Sequence, residues 1–263
     1  MNLKILGAGS AICRHPLITP SFLLQSDDSN IVFGCGSGVP AKLQSIGIDL
    51  PKIAIWAPLS SRPDQTAGLW EVAYRVLAGE IPSPYLAGPE YLLKSIGLPT
   101  PLLAAFQVEH TRTIHVNEEH IEETIEFVPN HLGSIDSYGL VFDEAQILIT
   151  GETSLNDEWL HSHGADVKII LHSCAPTNTI IEGYDQAATI EDLQKLPLYL
   201  QKKIWLYGYP DNYRGLEDPF PMLFLPQGQC AFDSNRKAKH LEKERFIREN
   251  TTRLLGNEKS KLS

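Results

Sequence analysis

Short apolar runs separated by turn residues predict strands at the start of the chain. The runs are Leu3–Leu6, Ser21–Leu24 and Ile31–Phe33. Pro16 and Pro20 exclude a helix between the first two runs, because proline lacks the backbone N–H and clashes with the preceding turn. An opening of this kind is typical of a β-meander.

Strands and helices alternate through the rest of the chain. Runs of good helix formers that begin near a proline or end near a glycine predict helices at Val39–Ile46, Ala67–Ala78 and Pro89–Ile96. A further helix is predicted at Thr189–Leu196. Apolar runs predict further strands at Lys52–Trp56, Thr113–Val116, Thr124–Pro129, Tyr138–Phe142, Ile147–Thr150, Val167–Leu171 and Lys203–Tyr207. No repeat or linker divides this pattern into two domains. We therefore expect one α/β body, followed by a helical segment at Ala238–Leu255.

The composition is that of an ordinary globular protein. The chain has 263 residues, of which 43% are hydrophobic and 21% charged, and these values exclude a disordered or collagen-like chain. No apolar stretch approaches the roughly 20 residues that span a bilayer, and Met1–Gly7 lacks the apolar region of a secretory signal. The four cysteines, which are widely spaced and include no C-x-x-C pair, are Cys13, Cys35, Cys174 and Cys230. We expect a cytoplasmic protein without membrane insertion.

Charge is unevenly distributed along the chain. The formal net charge is -10, which disfavours a general nucleic-acid surface. Residues 233–263 nevertheless carry nine Lys or Arg against five Asp or Glu, leaving 13 against 27 for the rest. This basic extension is the expected attachment surface for an acidic protein partner.

Eight short motifs stand in the order found in the metallo-β-lactamase superfamily. They are Ile5–Ala11, Phe33–Gly38, Gly47–Ile53, Asp64–Glu71, Val128–His131, Ser137–Gly139, Thr150–Thr153 and Trp205–Tyr209. The chain resembles the RNase Z and phosphodiesterase-like branch of that superfamily from Leu3 to Phe232. The resemblance implies a four-layer αβ/βα sandwich of two mixed sheets over residues 1–232, with loops at one sheet edge that hold two metal ions in active members. Residues 233–263 would be a basic helical extension that the family fold does not require.

The metal ligands that the resemblance implies are mostly replaced. The family signature H-x-H-x-D-H falls on Ser60-Ser61-Arg62-Pro63-Asp64-Gln65, and the seven positions expected to ligate metal are Ser60, Arg62, Asp64, Gln65, His131, Glu152 and Gly208. Only Asp64 and His131 match, whereas Glu152 stands where the family has an aspartate and Gly34 replaces a further aspartate. A catalytic zinc needs about three protein ligands, and a permanent cation at Arg62 opposes a dication. We predict a vestigial site with no metal, no cofactor and no catalytic residue, in which Arg62 pairs with Asp64 or Glu152.

Plain structural roles remain open for the retained residues. Asp64 could cap a loop, His131 could be a semi-buried histidine bonded to backbone, and Glu152 could be a solvated turn residue. Three other groups of residues could have either a solvated or structural role or a role in binding or catalysis. They are His161-Ser162-His163, Glu118–Glu123 and His172-Ser173-Cys174. A Cys174 nucleophile would need a base and a lowered pKa.

These observations favour a degenerate member of the superfamily. The leading hypothesis is a catalytically inactive protein that serves as a binding or scaffold subunit of a protein assembly. The alternatives are a metal-dependent phosphodiesterase or hydrolase with a reduced metal site, and a sensor in which Arg62 pairs with a small anionic ligand. A homodimer is also expected, because Ile81–Leu86 and Pro219–Leu225 carry apolar loop residues.

Overall fold

The computed structural model of the chain describes residues 1–10, 17–26, 29–118, 121–132, 135–174, 188–209, 222–224, 227–228 and 230–233. Its strands are β1 Asn2–Gly7, β2 Ser21–Gln25, β3 Asn30–Phe33, β4 Ile53–Ala57, β5 Tyr85–Gly88, β6 Gln107–His110, β7 Thr113–Glu118, β8 Ile121–Leu132, β9 Ile135–Phe142, β10 Ile147–Ile149, β11 Ile169–Ser173, β12 Ile204–Tyr207, β13 Leu223–Phe224 and β14 Cys230–Asp233. Its helices are α1 Val39–Ser45, α2 Pro63–Leu77, α3 Glu90–Ser95, α4 Thr100–Leu103, α5 Asp157–Gly164, α6 Ile190–Leu193 and α7 Leu198–Gln201, with a 3₁₀ turn at Leu50–Lys52.

The strands form two seven-stranded mixed sheets. In the first sheet the order is β14-β1-β2-β3-β4-β5-β6, antiparallel as far as β3 and parallel from β3 to β6. In the second sheet the order is β13-β12-β11-β10-β9-β8-β7, parallel from β13 to β10 and antiparallel from β10 to β7. Each sheet therefore has a set of parallel strands, and loops can follow the carboxyl ends of these strands at one edge of the sheet.

The strands of the first sheet bury both faces. In β2, Phe22 packs in the cluster between the sheets, whereas Leu23 packs against α1 to α4 on the outer face. This alternation is the two-residue period of a strand covered on both sides. On the other side of the molecule, Ile170 of β11 lies against Gly164 of α5 and Leu200 of α7. Helices thus cover the outer faces of both sheets.

Aromatic side chains join the two sheets across the middle of the molecule. Phe22 meets Tyr207 edge to face at a centroid distance of 5.7 Å, and Phe33 meets Phe142 at 5.8 Å. The predicted four-layer sandwich of two mixed sheets is confirmed. β14 ends at Asp233, and residues 234–263, with the predicted basic helix, lie outside the described residues.

Three strands of the first sheet, β5, β6 and β14, and one strand of the second sheet, β13, were not predicted from the sequence. β5 lies among prolines and glycines that indicate turns, and β6 is a polar edge strand whose four residues are all exposed. Neither β5 nor β6 carries an apolar alternation long enough to be recognised.

Among the described residues, no helix has the length and apolar content needed to cross a lipid bilayer.

Glu123 of β8 is a fully buried carboxylate that holds the turn between β9 and β10. It accepts hydrogen bonds from the backbone N–H groups of Glu144 at 3.1 Å and Ala145 at 2.9 Å. A solvated role for the acidic segment is therefore wrong for Glu123, although Glu122 is exposed. Burial raises the pKa of Glu123 to about 7, against the opposing effect of the two backbone hydrogen bonds.

The raised pKa of Glu123 predicts a measurable pH dependence. Because its folded-state pKa lies above the ordinary value of 4.5, the folded chain binds more protons than the unfolded chain between these values. Glu123 should therefore lower the free energy of unfolding progressively as the pH rises from about 4.5 to about 7, by about 3 kcal/mol in total. Glu123→Gln should remove this dependence in urea unfolding measured across that pH range.

The exposed neighbour supplies the control for this experiment. Glu122→Gln should leave the dependence of stability on pH unchanged. A wild-type-minus-variant difference for Glu123→Gln that is the same at pH 5 and pH 8 would contradict the assigned pKa.

Candidate functional site

The loop between β4 and α2 carries Ser60 and Arg62. Tyr138 N–H donates to Leu59 O at 2.8 Å, and Ser60 forms an isolated antiparallel bridge with Ser137 of β9. The side chain of Ser60 is fully buried, and its Oγ accepts a 3.4 Å hydrogen bond from the Arg62 N–H. The loop leaves the first sheet and is held by backbone contacts to the second sheet.

Asp64 and Gln65 lie in the first turn of α2. Pro63 occupies the opening of the helix, where no N–H is needed, and the acidic Asp64 suits the positive end of the helix dipole. The buried Gln65 side chain points back to the first sheet, where its Nε2 donates to Pro20 O at 3.2 Å. The first turn of α2 therefore directs the two side chains to different partners.

Glu152 lies in the loop after β10, which a buried polar network fixes. Asn130 Nδ2 donates to Thr150 O at 2.8 Å, and Asn130 Oδ1 accepts from Thr153 Oγ1 at 2.7 Å. Tyr207 Oη donates to Gly151 O at 2.6 Å. These contacts hold the backbone on both sides of Glu152. In the sequence, Asn130 is only one member of the motif Val128–His131, and its neutral amide gives no sign of this positioning role.

Arg62 forms a buried ion pair with both carboxylates of the site. Its Nε donates to Asp64 Oδ1 at 2.9 Å and lies 3.0 Å from Glu152 Oε2. The side chains are 13%, 7% and 12% exposed for Arg62, Asp64 and Glu152, so bulk water screens them little. The expected pairing of Arg62 is confirmed, and it reaches both acids. A solvated turn role for Glu152 is wrong because the side chain is buried.

The electrostatics of Glu152 follow from this burial. Burial raises the pKa of Glu152 well above its ordinary range, the Asp64 carboxylate raises it further, and Arg62 opposes both effects. The guanidinium therefore offsets the cost of placing two acidic side chains next to each other in the interior.

Two glycines stand at positions where the family has a larger residue, and the local backbone and neighbouring atoms now leave little room for a side chain. Gly208 has φ +82° and donates its N–H to Ala8 O at 2.8 Å, and an added Cβ would lie 3.2 Å from Cys174 O. A histidine there would be strained, because L-residues rarely adopt this left-handed backbone. At Gly34, φ is +73° and an added Cβ would lie 2.6 Å from Gln65 Oε1. A Cβ at position 34 would also lie 2.7 Å from the backbone oxygen of Pro20, so both neighbours and the left-handed backbone favour glycine there.

The remaining candidate residues do not form a reactive group. The backbone of His131 pairs with Asp136 in the β8–β9 ladder, and its imidazole lies outside the described part of the structure. Burial raises the pKa of Cys174 to about 12 and lowers that of His172 to about 4. The thiol is therefore protonated at neutral pH and is a poor nucleophile.

The two histidines of α5 contact different neighbours. His161 Nδ1 lies 2.7 Å from Tyr199 Oη, whereas the ring of His163 stacks on Trp159 at a centroid distance of 4.7 Å. Their solvated interpretation fits this arrangement better than a shared metal.

The residues present do not fit the two-metal centre of the superfamily. Arg62 Nε lies within 3.0 Å of both retained carboxylates, so the guanidinium competes with any metal for these oxygens. Gln65 is hydrogen-bonded to Pro20, and Gly208 offers no side chain. Across the described residues, no group of three or more His, Cys, Asp and Glu side chains is arranged to hold a metal ion.

Comparison with known proteins supplies the family. The family model of the anti-Pycsar protein Apyc1 matches residues 99–231, about half of the chain. The chain belongs to the anti-Pycsar Apyc1 family. The match includes the positions of His131, Glu152 and Gly208, and it begins after the Ser60–Gln65 segment, which it does not cover.

Individual relatives of this Apyc1-family chain agree with the fold. Anti-Pycsar protein Apyc1 of Paenibacillus harenae is 24% identical over 225 residues, which cover 81% of this chain and 91% of that protein. The metallo-β-lactamase fold protein YhfI of Bacillus subtilis superposes with a TM-score of 0.66 at 13% identity, over 87% of this chain and 98% of YhfI. The short form of human tRNase Z gives a TM-score of 0.61 at 14% identity, over 88% and 98% of the two chains. The resemblance to the metallo-β-lactamase superfamily is confirmed at the level of the fold.

Removing the guanidinium should destabilise this Apyc1-family chain strongly. Arg62→Met leaves Asp64 and Glu152 buried without a cation, and breaking a buried pair in this way costs about 3–5 kcal/mol. Adding Asp64→Asn and Glu152→Gln to Arg62→Met should recover most of that loss, because no buried charge then remains. Urea unfolding at neutral pH measures both differences.

An exposed ion pair gives the comparison. Lys94 Nζ lies 2.6 Å from Glu90 Oε1 with the lysine side chain 68% exposed, so Lys94→Met should cost less than about 1 kcal/mol. Equal losses for Arg62→Met and Lys94→Met would show that the buried pair does not have the predicted role.

Proposed function

We propose that this Apyc1-family chain is a catalytically inactive metallo-β-lactamase-fold protein that works by binding, as a scaffold or binding subunit of a protein assembly. The observation that carries the proposal is the Arg62 guanidinium between Asp64 and Glu152. A hydrolytic metal site needs an open coordination position and a polarised water. Here a side-chain cation that can neither lose its charge nor activate water holds the carboxylates.

The packing around the replaced ligand positions supports a structural role for the cleft. Gln65 fills the space beside Gly34, and the Gly208 N–H is bonded across to the first sheet. Ser60 is buried and hydrogen-bonded. Each substitution has acquired a contact of its own, as expected for a site adapted to hold the two sheets together.

A hydrolase with a reduced metal site is the second candidate. The retained Asp64 and His131, together with the carboxylate of Glu152, favour it, since carboxylate and imidazole are typical ligands of metal hydrolases. Arg62 weighs against it for the reason given above. The relative from Paenibacillus harenae is called an anti-Pycsar protein. Under our proposal, this chain would perform any such role by binding a ligand or a protein without converting it.

A sensor of a small anion has less support. Arg62 is engaged with two acidic side chains, so an anion that approached its Nε would also meet Asp64 and Glu152. Repulsion by the ionised carboxylate opposes such a ligand. The basic extension, residues 233–263, remains the proposed surface for an acidic protein partner of a cytoplasmic chain.

Metal content and hydrolysis together test the proposal. The full chain, purified without chelator from cells supplied with zinc and manganese, should contain far less than one metal ion per chain by mass spectrometry. Hydrolysis of a chromogenic phosphodiester should stay at the background rate and should not change in His131→Ala. In parallel, native co-purification should recover a protein partner in a fixed ratio to the chain.

A metal-loaded enzyme of the same fold, purified and assayed in parallel, supplies the positive control. Phosphodiester hydrolysis that is lost in His131→Ala and on addition of chelator would overturn the proposal and establish the second candidate.

A further inference from the structure

β7 is an open edge of the second sheet. Among the described residues it is the last strand of that sheet, and it pairs with β8 over six consecutive residues without a bulge. Sheet edges are usually protected against further pairing by lysine, proline, a bulge or a covering element. Thr113–Glu118 contains neither lysine nor proline, and the side chains of His115 and Asn117 are exposed. The edge is therefore available to another strand.

The backbone groups of β7 point alternately toward β8 and away from it. Phe127 donates its N–H to Arg112 O at 2.8 Å, so every second residue from Arg112 onward bonds to β8. Ile114 and Val116 belong to this set. The residues whose N–H and C=O groups point outward, where an added strand would bond, are Thr113, His115 and Asn117.

The sheet beside this edge carries much of the negative charge of the chain. Residues 113–167 contain twelve Asp or Glu and no Lys or Arg, whereas the net charge of the whole chain is -10. The exposed acids of β8 and of the β9–β10 turn are Glu122, Glu126, Asp143 and Glu144. Three of them line a shallow depression of about 420 Å³ together with Ile121 and Thr124. This surface favours a cationic partner.

Cross-strand positions specify the side-chain pattern of that partner. On the outer face Asn117 lies opposite Glu122, so a short side chain separates the open edge from the acid. Lys or Arg at alternate positions of an added strand can reach across β7 to the acids of β8, because their stems are long. The intervening positions share a face with the buried Ile114 and Val116, which suits apolar side chains.

A second copy of β7 does not fit this edge. Pairing two copies would place two acidic sheet faces side by side, and like charges across a sheet are destabilising. A basic segment of a different protein has the complementary charge.

The apolar segments noted in the sequence do not offer another surface for a partner. Ile81 and Leu86 are buried in the chain's own core, so the apolar ground for a homodimer is wrong for these two residues. Met222 and Leu223 of the second segment are buried as well. The members of that segment that lie outside the described residues are 219–221 and 225.

We propose that β7 binds an extended basic segment of a partner protein, which adds to the second sheet as a further strand. The segment carries Lys or Arg at alternate positions and apolar side chains between them. Hydrogen bonds to the outward backbone groups of β7 supply affinity, and the acids of β8 supply the preference for positive charge. This surface is separate from the basic extension, and it does not depend on whether the cleft is active.

Peptide binding to the full chain tests the proposal. The probe is a labelled peptide of about ten residues that alternates Lys and Val, titrated by fluorescence anisotropy at physiological salt. We expect saturable binding that slows backbone hydrogen exchange in residues 113–117. A second peptide carries N-methyl groups on the backbone nitrogens of its lysines. It keeps the charge but loses the donors that face β7, so it should bind at least about tenfold more weakly.

Substitutions at one position separate the backbone from the side chain. His115→Pro removes an outward N–H without removing a bond to β8, so the affinity should fall by about fivefold or more, whereas His115→Ala should bind as the wild type does. On β6, Gln107 N–H donates to Pro84 O at 2.9 Å, so the next N–H points outward. Val108→Pro makes the same change at this other edge and should leave the affinity unchanged.

Charge reversal supplies an independent variant. Glu122→Lys should weaken binding by about tenfold, whereas Asp49→Lys, at a side chain that is 71% exposed on another part of the surface, should not. Circular dichroism establishes that each variant is folded, and Asn117→Pro serves if His115→Pro does not fold.

Three results would overturn the proposal. One is the absence of saturable binding of the Lys-Val peptide up to millimolar concentration. Another is equal affinity of the N-methylated and unmodified peptides, because charge alone would then account for binding. The third is wild-type affinity in a folded His115→Pro or Asn117→Pro variant.

Discussion

The buried ion pair of Arg62 with Asp64 and Glu152 is the interaction on which the site depends. Arg62 and Asp64 come from the end of β4 and the start of α2, against the first sheet, whereas Glu152 follows β10 of the second sheet. The pair therefore joins the two halves of the sandwich, at the positions where the resemblance to the superfamily implies metal ligands. Two buried carboxylates without a cation would repel each other, so the cleft needs some positive charge, and here the chain supplies it.

The fold was largely predictable because its information is local and periodic. Strands with both faces covered gave compact apolar runs, and ordered motifs from Ile5 to Tyr209 supplied the arrangement of the sheets. Among the strands that were not predicted, β5 lies between prolines, β6 is a polar edge, and β13 and β14 have only two and four residues. Residues of the site were also predictable by position, including the pairing of Arg62. The buried state of Glu123 was not, because a carboxylate held by two backbone N–H groups has the same sequence pattern as a solvated one.

Long-range compensation was the part that the sequence could not supply. Gln65 and Gly34 are 31 positions apart, and only the structure shows that the amide oxygen occupies the space of a missing Cβ. Similarly, Asn130 holds the chain on both sides of Glu152, through hydrogen bonds with the backbone carbonyl of Thr150 and the side-chain hydroxyl of Thr153. Through these contacts the replaced ligand positions have become part of the packed structure.

The central claim is that a guanidinium stands in this Apyc1-family chain where the metals of the fold would bind. Crystals of the full chain grown with zinc and manganese, with diffraction data collected at the absorption edge of each metal, test it most directly. The account predicts no anomalous peak between Asp64 and Glu152, and Arg62 Nε within hydrogen-bond distance of both carboxylates. An anomalous peak bound by Asp64, Glu152 and His131, with Arg62 turned away, would contradict it.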